Sequence, residues 1–504
     1  MKQFPGRCVA AFFLLLWTGS PGVAAREFSV LVYNVENLFD VDGVALFGDY
    51  QDATWNPDNP YTPARLYTKL DHIARVLASI GDGAGPEVVM FQEFELDRTP
   101  FGSRGEPAAL LERWAEQTVA EMLGPAFDAG VANLPVDALL WKLLRERGLG
   151  AYFVAKPYPS LGDDPPAHTN VVFSRFPILE AAQRPMEDAR DLQIVTIEVA
   201  GQPFTLLNNH WKSGASNPAT AGTRRQNAQV VRAALDEILT ARPEADVLVA
   251  GDLNSHYNQG GVFPAWRPVG VNDILGSQTD EWAVAQGEGP DLYNLWGELP
   301  LAERGSEVYR GRWGTLMQML ITPGLYDGEG IQYVDNSFRR VILPGENVDL
   351  LWGRPRSWIS DGDGVGYSDH LPILARFRAL EEGNGEAVVL HQPTREAELL
   401  STLPVVDYGR LPAGDYPRAE RIAQFSAAER TQAYGQLFHV RGRKTEDGRG
   451  VLVNGVRYGL YLPGDDVLVA WRDLEPGARV RFVGEFGNFR GTRQFILHHE
   501  SWWR

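Results

Sequence analysis

The stretch Asp246-Val247-Leu248-Val249-Ala250-Gly251-Asp252-Leu253-Asn254 reads as a short apolar strand running straight into a polar turn. Asp and Asn just past its end are ordinary turn formers, so the segment alone says little about chemistry. Four more segments repeat the pattern, however. Asn34-Val35-Glu36-Asn37 follows the apolar run 28–33, and Gln92-Glu93 closes the run 87–91. Asn208-Asn209-His210-Trp211-Lys212 follows the run 204–207, and Ser368-Asp369-His370 precedes 371–377. Strands lying side by side would bring these polar ends to one rim, where carboxylates, amides and two imidazoles meet in a cleft.

Strand and helix patterns alternate on either side of Asp246. A helix is expected over 63–80, because Leu66, Leu70, Ile73 and Leu77 recur at helical spacing and Gly81 follows. Helices are also expected over 107–123 and 136–147, as an insertion, and around 223–239. Further strands are expected at 151–155, 170–174 and 192–199. Gly, Pro, Trp and Tyr crowd 251–366, which reads as long loops around a site, with 348–352 and 371–377 as the last strands. Residues 26–380 then form one domain and 381–417 a linker. In 418–504, five period-two stretches (434–443, 450–462, 466–470, 478–486 and 494–499) are separated by turn signals. They predict a small C-terminal β-barrel, OB-like, although an SH3-like barrel leaves a similar trace.

Of the 504 residues, 44% are apolar and 22% charged, which excludes wholesale disorder, collagen and coiled coil. Lys2 and Arg7 precede an apolar run over 8–19 and the small residues Val23-Ala24-Ala25. That is the pattern of a secretory signal, so 1–25 is expected to direct export to the periplasm or beyond the cell. The run is shorter than the roughly 20 residues a membrane span needs, and no later segment reads as one. Cys8, the only cysteine, lies inside it. A mature chain without cysteine excludes disulfides, zinc–thiolate sites and cysteine nucleophiles. The formal charge of -18 is uneven: residues 386–504 hold 16 basic and 15 acidic groups, which leaves 26–385 near -21. Such an acidic body argues against a tight, salt-dependent grip on nucleic acid, but not against an enzyme that touches a few phosphates through a cation.

Taken together and in order, Asn34-Val35-Glu36-Asn37-Leu38-Phe39-Asp40, Gln92-Glu93, Gly251-Asp252-Leu253-Asn254 and Ser368-Asp369-His370 resemble the endonuclease/exonuclease/phosphatase superfamily, and most of all its exported bacterial subgroup. Pancreatic-type deoxyribonucleases, abasic-site endonucleases, neutral sphingomyelinases and inositol-polyphosphate phosphatases belong to it. The resemblance spans roughly 26–380 and implies an α/β fold, a four-layered α/β sandwich of two mixed sheets flanked by helices. By motif it implies Glu93 as the principal ligand of Mg²⁺ or Mn²⁺ (Ca²⁺ is possible), with Asn34, Glu36 and Asp369 beside it. Asp252 would orient or deprotonate the attacking water, and Asn254 would hold that water or the phosphate. His210 and His370 would donate to the phosphate oxygens. Hard oxygen donors suit these cations. Hydrolysis of a phosphodiester needs charge neutralisation, an aligned water and help for the leaving oxygen. One position departs from the pattern: relatives carry an Asp that props the last histidine about where Met317 stands, and Asp349 is the expected substitute.

The expected activity is that of an exported, metal-dependent phosphodiesterase, a nuclease acting on DNA or RNA. Arg441, Arg443, Lys444, Arg490 and Arg493, interleaved with Phe438, Phe486 and Phe489, would offer single strands a stacking surface on the barrel. Those aromatics read equally well as barrel core. The alternative substrate is a lipid headgroup or small phosphate ester, which suits the acidic body better, with Trp296, Tyr309, Trp313 and Trp352 walling a compact pocket. A catalytically silent scaffold is opposed by the retained Glu93, Asp252, Asn254 and His370. No protein partner is expected.

Overall fold

Alternate residues of β1 (Arg26–Leu38) enter two different apolar cores. Leu31 and Tyr33 pack with Leu66, Leu70, Ile73 and Leu77 of α1 (Pro63–Ala78), whereas Val30 and Val32 pack with Val195, Phe204, Leu206 and Leu248 of a second sheet. Successive strand side chains point to opposite faces, and with both faces covered all of these positions are apolar. α1 starts where the Thr62 side chain accepts the Arg65 N–H at 3.3 Å, with Pro63 at its first position. The structure, a computed structural model, describes residues 26–51, 60–99, 111–156, 166–286, 292–358, 366–380, 402–489 and 491–504. The expected signal 1–25, the first part of the expected linker and Arg490 lie outside these residues.

In the first sheet, β2 (Val88–Glu95) lies parallel to β1 and β16 (Ile373–Ala379) lies antiparallel on its other side. β3 (Phe153–Ala155), β4 (His168–Ser174), β14 (Ile331–Tyr333) and β15 (Arg339–Arg340) complete its seven strands. The second sheet, also of seven, runs β5 (Ile178–Arg184), β6 (Arg190–Val199), β7 (Gln202–His210), β8 (Val247–Asp252), β13 (Met317–Ile321), β10 (Leu292–Asn294) and β9 (Ser277–Gln278). Its other face carries Leu207, Val247 and Val249 against Val231 and Leu235 of α3 (Ala221–Ala241), while α2 (Val136–Glu146) joins α1 on the first sheet. β7 and β8 are parallel with His210 opposite Asp252, and Ile373 of β16 stands opposite Val32. The chain therefore leaves β1, β2, β7 and β8 and enters β16 at one rim.

Some expected elements differ. Residues 251–366 are not only loops: they hold β9 and β10, β13 to β15, and a hairpin of β11 (Glu307–Tyr309) and β12 (Arg312–Gly314). Residues 348–352 form a turn instead of a strand, because the Asp349 carboxylate accepts the N–H groups of Leu351 and Trp352 and folds the chain back. Of the helix expected over 107–123, the described part is a 3₁₀ turn Glu112–Trp114 and a four-residue helix Val119–Met122. Residues 466–470 belong to a helix, α4 (Asp465–Arg472), whose buried Val467 and Trp471 lie four apart and whose first turn carries Asp465 and Asp466. Among the described residues, no helix is long and apolar enough to cross a membrane.

The C-terminal region closes into a five-stranded barrel in the order β17 (Leu437–Lys444), β18 (Gly450–Val453), β19 (Val456–Tyr461), β21 (Thr492–Ile496), β20 (Arg479–Phe489), with α4 between β19 and β20. Phe438 and Phe486 lie in its core, and Lys444 Nζ is buried, donating to the carbonyls of Trp471 and Leu474 at the end of α4. These three do not form a stacking surface. Residues 402–408 run along the hairpin: the Trp313 N–H donates to Pro404 O and the Val406 N–H to Gly311 O, both at 2.8 Å. Trp296 is fully buried between the sheets and Trp352 packs against the barrel core, whereas Tyr309 and Trp313 line the large cleft of the catalytic region, so only two of the four rings expected to wall a compact pocket do so.

Candidate active site

The five polar segments do converge. Asn34 Nδ2 donates to Glu93 Oε1 and to Asp252 Oδ2, each at 3.1 Å. His210 Nε2 lies 3.8 Å from Glu93 Oε1 and 3.7 Å from Asp252 Oδ2. His370 Nε2 lies 3.7 Å from the same Asp252 oxygen and 3.8 Å from Asp369 Oδ1. The other Asp252 oxygen accepts the Asn254 N–H at 2.9 Å, and Asn254 Nδ2 donates to Trp211 O at 3.1 Å. Glu93, His210, Asp252, Asn254, Asp369 and His370 line a cleft of about 1220 Å³ that also takes in Arg190 and Glu307.

Backbone geometry sets up this convergence. Gly251 has φ +131°, and a Cβ there would fall 2.1 Å from Asn209 O, so only glycine lets β8 deliver Asp252 beside His210. Glu36, Asn37, Glu93 and Asn254 all take positive φ, between 44° and 66°. Such conformations are costly for non-glycine residues and collect at sites where the surrounding structure enforces them.

The two imidazoles are set to opposite states. Burial, with Arg190, His168 and His370 adding repulsion, holds His210 well below its ordinary pKa, so it is neutral. Burial opposes charge on His370 too, but Asp369, Asp252, Glu307 and Glu93 outweigh it and raise its pKa to about 9. Glu93 is raised by burial, against the pull of Arg190 and Asn34.

The four expected cation ligands do not play equal parts. Asn34 Oδ1 accepts the Glu36 N–H at 2.9 Å. The Glu36 oxygens accept from Ser357 Oγ at 2.6 Å and from the Trp358 N–H. Burial and Asp369 raise Glu36 to about 7, against Lys69 and these donors. Asn34 and Glu36 thus tie the rim together; Glu36, Glu93 and Asp369 all line the cleft, but the Glu36 oxygens already accept from Ser357 and Trp358, so Glu93 and Asp369 remain the better oxygen donors for a hard cation. Elsewhere, Glu281, Glu298 and Asp335 offer oxygens within 4.8 Å of one another. They stand away from this cleft, where the Tyr326 and Tyr333 hydroxyls donate to Glu281 and Glu298.

Asp349 is not the carboxylate beside His370. Besides closing its turn, it pairs with Arg354 at 2.9 Å, and Arg354 in turn reaches Glu485 of the barrel at 2.9 Å. The group at His370 Nδ1 is Glu307, 3.8 Å away, whose Oε2 accepts from Ser306 Oγ and from the Leu316 N–H. Burial raises Glu307 to about 7, with His370 pulling it back down. Gly314, opposite Glu307 in the hairpin, makes the room: a Cβ there would fall 1.8 Å from Glu307 Oε1. Met317 is simply a buried strand residue paired with Asp252.

Sequence reasoning also missed Arg190 and His168. Arg190 Nη2 donates to His168 Nδ1 at 3.1 Å, which leaves the His168 Nε2–H to donate to Asn37 Oδ1. The guanidinium is thereby held facing Glu93 and Asp252. Its only sequence signal was its place at the start of β6, opposite His210.

The Endonuclease/Exonuclease/phosphatase family model matches residues 166–379, a span that contains His210, Asp252, Asn254, Glu307, Asp369 and His370. The match covers 214 of the 504 residues, less than half of the chain. Endonuclease/exonuclease/phosphatase enzymes are phosphoric ester hydrolases. Asn34, Glu36 and Glu93 precede the matched span and complete the cleft in space. Solved structures similar to the chain include truncated Caenorhabditis elegans TDP2, at 15% identity over 70% of this chain and 98% of that one, with a TM-score of 0.37. Streptomyces griseocarneus sphingomyelinase C is 16% identical over 70% of this chain and 100% of its own, with a TM-score of 0.36. An endonuclease/exonuclease/phosphatase family protein from Leptotrichia buccalis is 13% identical over 69% of this chain and 98% of its own, with a TM-score of 0.38. No curated protein matches the chain.

Proposed function

We propose that the protein is a divalent-metal-dependent phosphodiesterase whose substrate is nucleic acid, DNA or RNA. The observation that carries this reading is the meeting of Glu93, Asp252, Asn254, His210 and His370 in one cleft. Glu93 and Asp369 would hold Mg²⁺ or Mn²⁺, or Ca²⁺, whose charge neutralises the non-bridging phosphate oxygens. Asp252, fixed by Asn34 and the Asn254 N–H, aligns the attacking water, with Asn254 beside it. Neutral His210 donates one hydrogen bond to the phosphate, and charged His370 stabilises the negative charge that builds there. Glu307, 3.8 Å from His370 Nδ1, favours the charged form of that ring.

The wider architecture follows the same reading. The shared inter-sheet core and the outer helices support a four-layered sandwich over 26–380. The barrel's strand order, with a helix between its third and fourth strands, supports an OB-like domain over 418–504. Residues 1–25 would export the protein to the periplasm or the exterior.

A second substrate class has its own observation. Leu350 and Leu351, in the turn that Asp349 closes, are 77% and 40% exposed, an apolar tip that would suit a lipid-headgroup ester. Mature protein given plasmid DNA, RNA, bis-p-nitrophenyl phosphate and sphingomyelin, with Mg²⁺, Mn²⁺ or EDTA, separates the two. Cleavage of DNA or RNA that stops with chelator supports the nuclease. Turnover of sphingomyelin without nucleic-acid cleavage, lost in Leu350→Glu, establishes the lipid reading instead.

A further inference from the structure

The pairing of β17 with β20 sets Arg441 opposite Arg481 and Arg443 opposite Arg479. All four side chains are exposed and share the outer face of the ribbon. Opposed side chains on such a ribbon start about 5 Å apart and successive ones on one strand about 7 Å apart, so the guanidinium groups form a two-by-two grid. Like charges directly opposed destabilise a sheet. Among the described residues, none of the four pairs with a carboxylate, although Arg457 on the same barrel pairs with Asp447 at 2.6 Å. Arg443 donates only to Gly477 O at 3.1 Å, and the Arg504 N–H donates to Arg481 O at 2.9 Å, bringing a fifth arginine alongside. In a chain with a formal charge of -18, this is a concentration of positive charge that the described fold leaves unbalanced.

We propose that the β17–β20 face of the barrel binds the phosphodiester backbone of a single-stranded nucleic acid. Guanidinium forks match phosphate oxygens in shape as well as charge. Phe489, 52% exposed, stands eight residues beyond Arg481 on β20, where that strand pairs with β21, roughly 25 Å along the strand at ~3.3 Å per residue, so its ring offers a base a stacking place only further along a bound strand. A bilayer fits less well. The chain that carries the barrel holds about -21 formal charges over residues 26–385, which an extended anionic surface meets more readily than a flexible strand does, because charges more than ~8 Å from the bound strand are screened at physiological salt. This deepens the nuclease reading by naming where the polymer is held, away from the cleft, and its test does not depend on turnover.

Full-length mature protein is titrated into a fluorescein-labelled oligothymidylate in EDTA, and anisotropy is followed across potassium chloride concentrations. With four contacts at ~0.7 each for single strands, wild type should show a log–log salt slope of about -3. Arg441→Ala/Arg443→Ala/Arg479→Ala/Arg481→Ala should lose most of that slope and bind at least 10-fold more weakly, with a thermal midpoint no lower than wild type. The matching four-lysine variant should keep the slope and confirm that charge is the cause. Unchanged affinity and slope in the alanine variant overturn the proposal. So does binding to phosphatidylserine vesicles that the alanine variant loses while its oligonucleotide binding persists. Binding that depends on the arginines in a protein that cleaves no nucleic acid would sink the nuclease reading and leave this one standing.

Discussion

In the cleft, Asp252, Glu307, His210 and His370 are buried, and the two rings lie within 4 Å of carboxylate oxygens. On the barrel, Arg441, Arg443, Arg479 and Arg481 stand in solvent with charges of one sign side by side. A buried charge must find its partner inside the fold or become neutral, so the cleft assembles acids, imidazoles and one arginine that set each other's protonation. A surface charge is under no such compulsion, so water and salt can keep the arginine grid as it is. Rearranging the first region should therefore cost reaction rate, and neutralising the second should cost affinity.

The sharpest break is expected at Asp252. Asp252→Ala should lower kcat/KM for bis-p-nitrophenyl phosphate about 10³-fold, the scale of losing one group aimed at the transition state, as read by initial rates with Mg²⁺. The next effect concerns stability at the seam between the two regions. Burial would raise the Glu485 carboxyl, but Arg354 and His498 hold it at about 2. A carboxylate held down in this way stabilises the fold fully above its ordinary pKa near 4.5 and loses that contribution as pH falls toward 2. Glu485→Gln should cost about 3 kcal/mol at pH 7, and the gap to wild type in thermal midpoint should shrink as pH drops from 6 to 3.

Smaller still is Glu307→Gln, expected to reduce kcat by about 10–100-fold with KM little changed, the size seen when the partner of an active-site histidine is lost. Asp349→Asn should stay within about twofold of wild-type turnover, because its carboxylate serves the turn and Arg354. Were Asp349→Asn the more damaging of the two, the assignment of Glu307 to His370 would be wrong.

The rim was legible because each of its motifs directly abuts an apolar strand, and strand ends in a sheet of this kind must meet. Glu307 was not, because its hairpin has three-residue strands and its importance depends on a contact with a residue 63 positions later. Asp349 lost the prediction for a local reason: an Asp two residues before an accessible N–H closes a turn. In the barrel, alternation announced strands, but the inward side of Phe438, Phe486 and Lys444 appears only on closure. Arg479 and Arg481 drew no notice because nothing in their own strand reveals that β17 aligns two more arginines beside them. Residues 466–470 read as a strand because β-branched residues flatter that reading, yet the buried Val467 and Trp471 obey the helical repeat.

The strap at 402–408 changes what the barrel can be to this molecule. It lies against the hairpin whose first strand carries Glu307, and the barrel's own core covers Trp313 on the second. A chain cut at residue 380 would therefore shed more than an appendage: it would strip the backing from one side of the reaction chamber and leave two tryptophans bare. Domain and catalyst here share a party wall, and neither can be demolished without cracking the other.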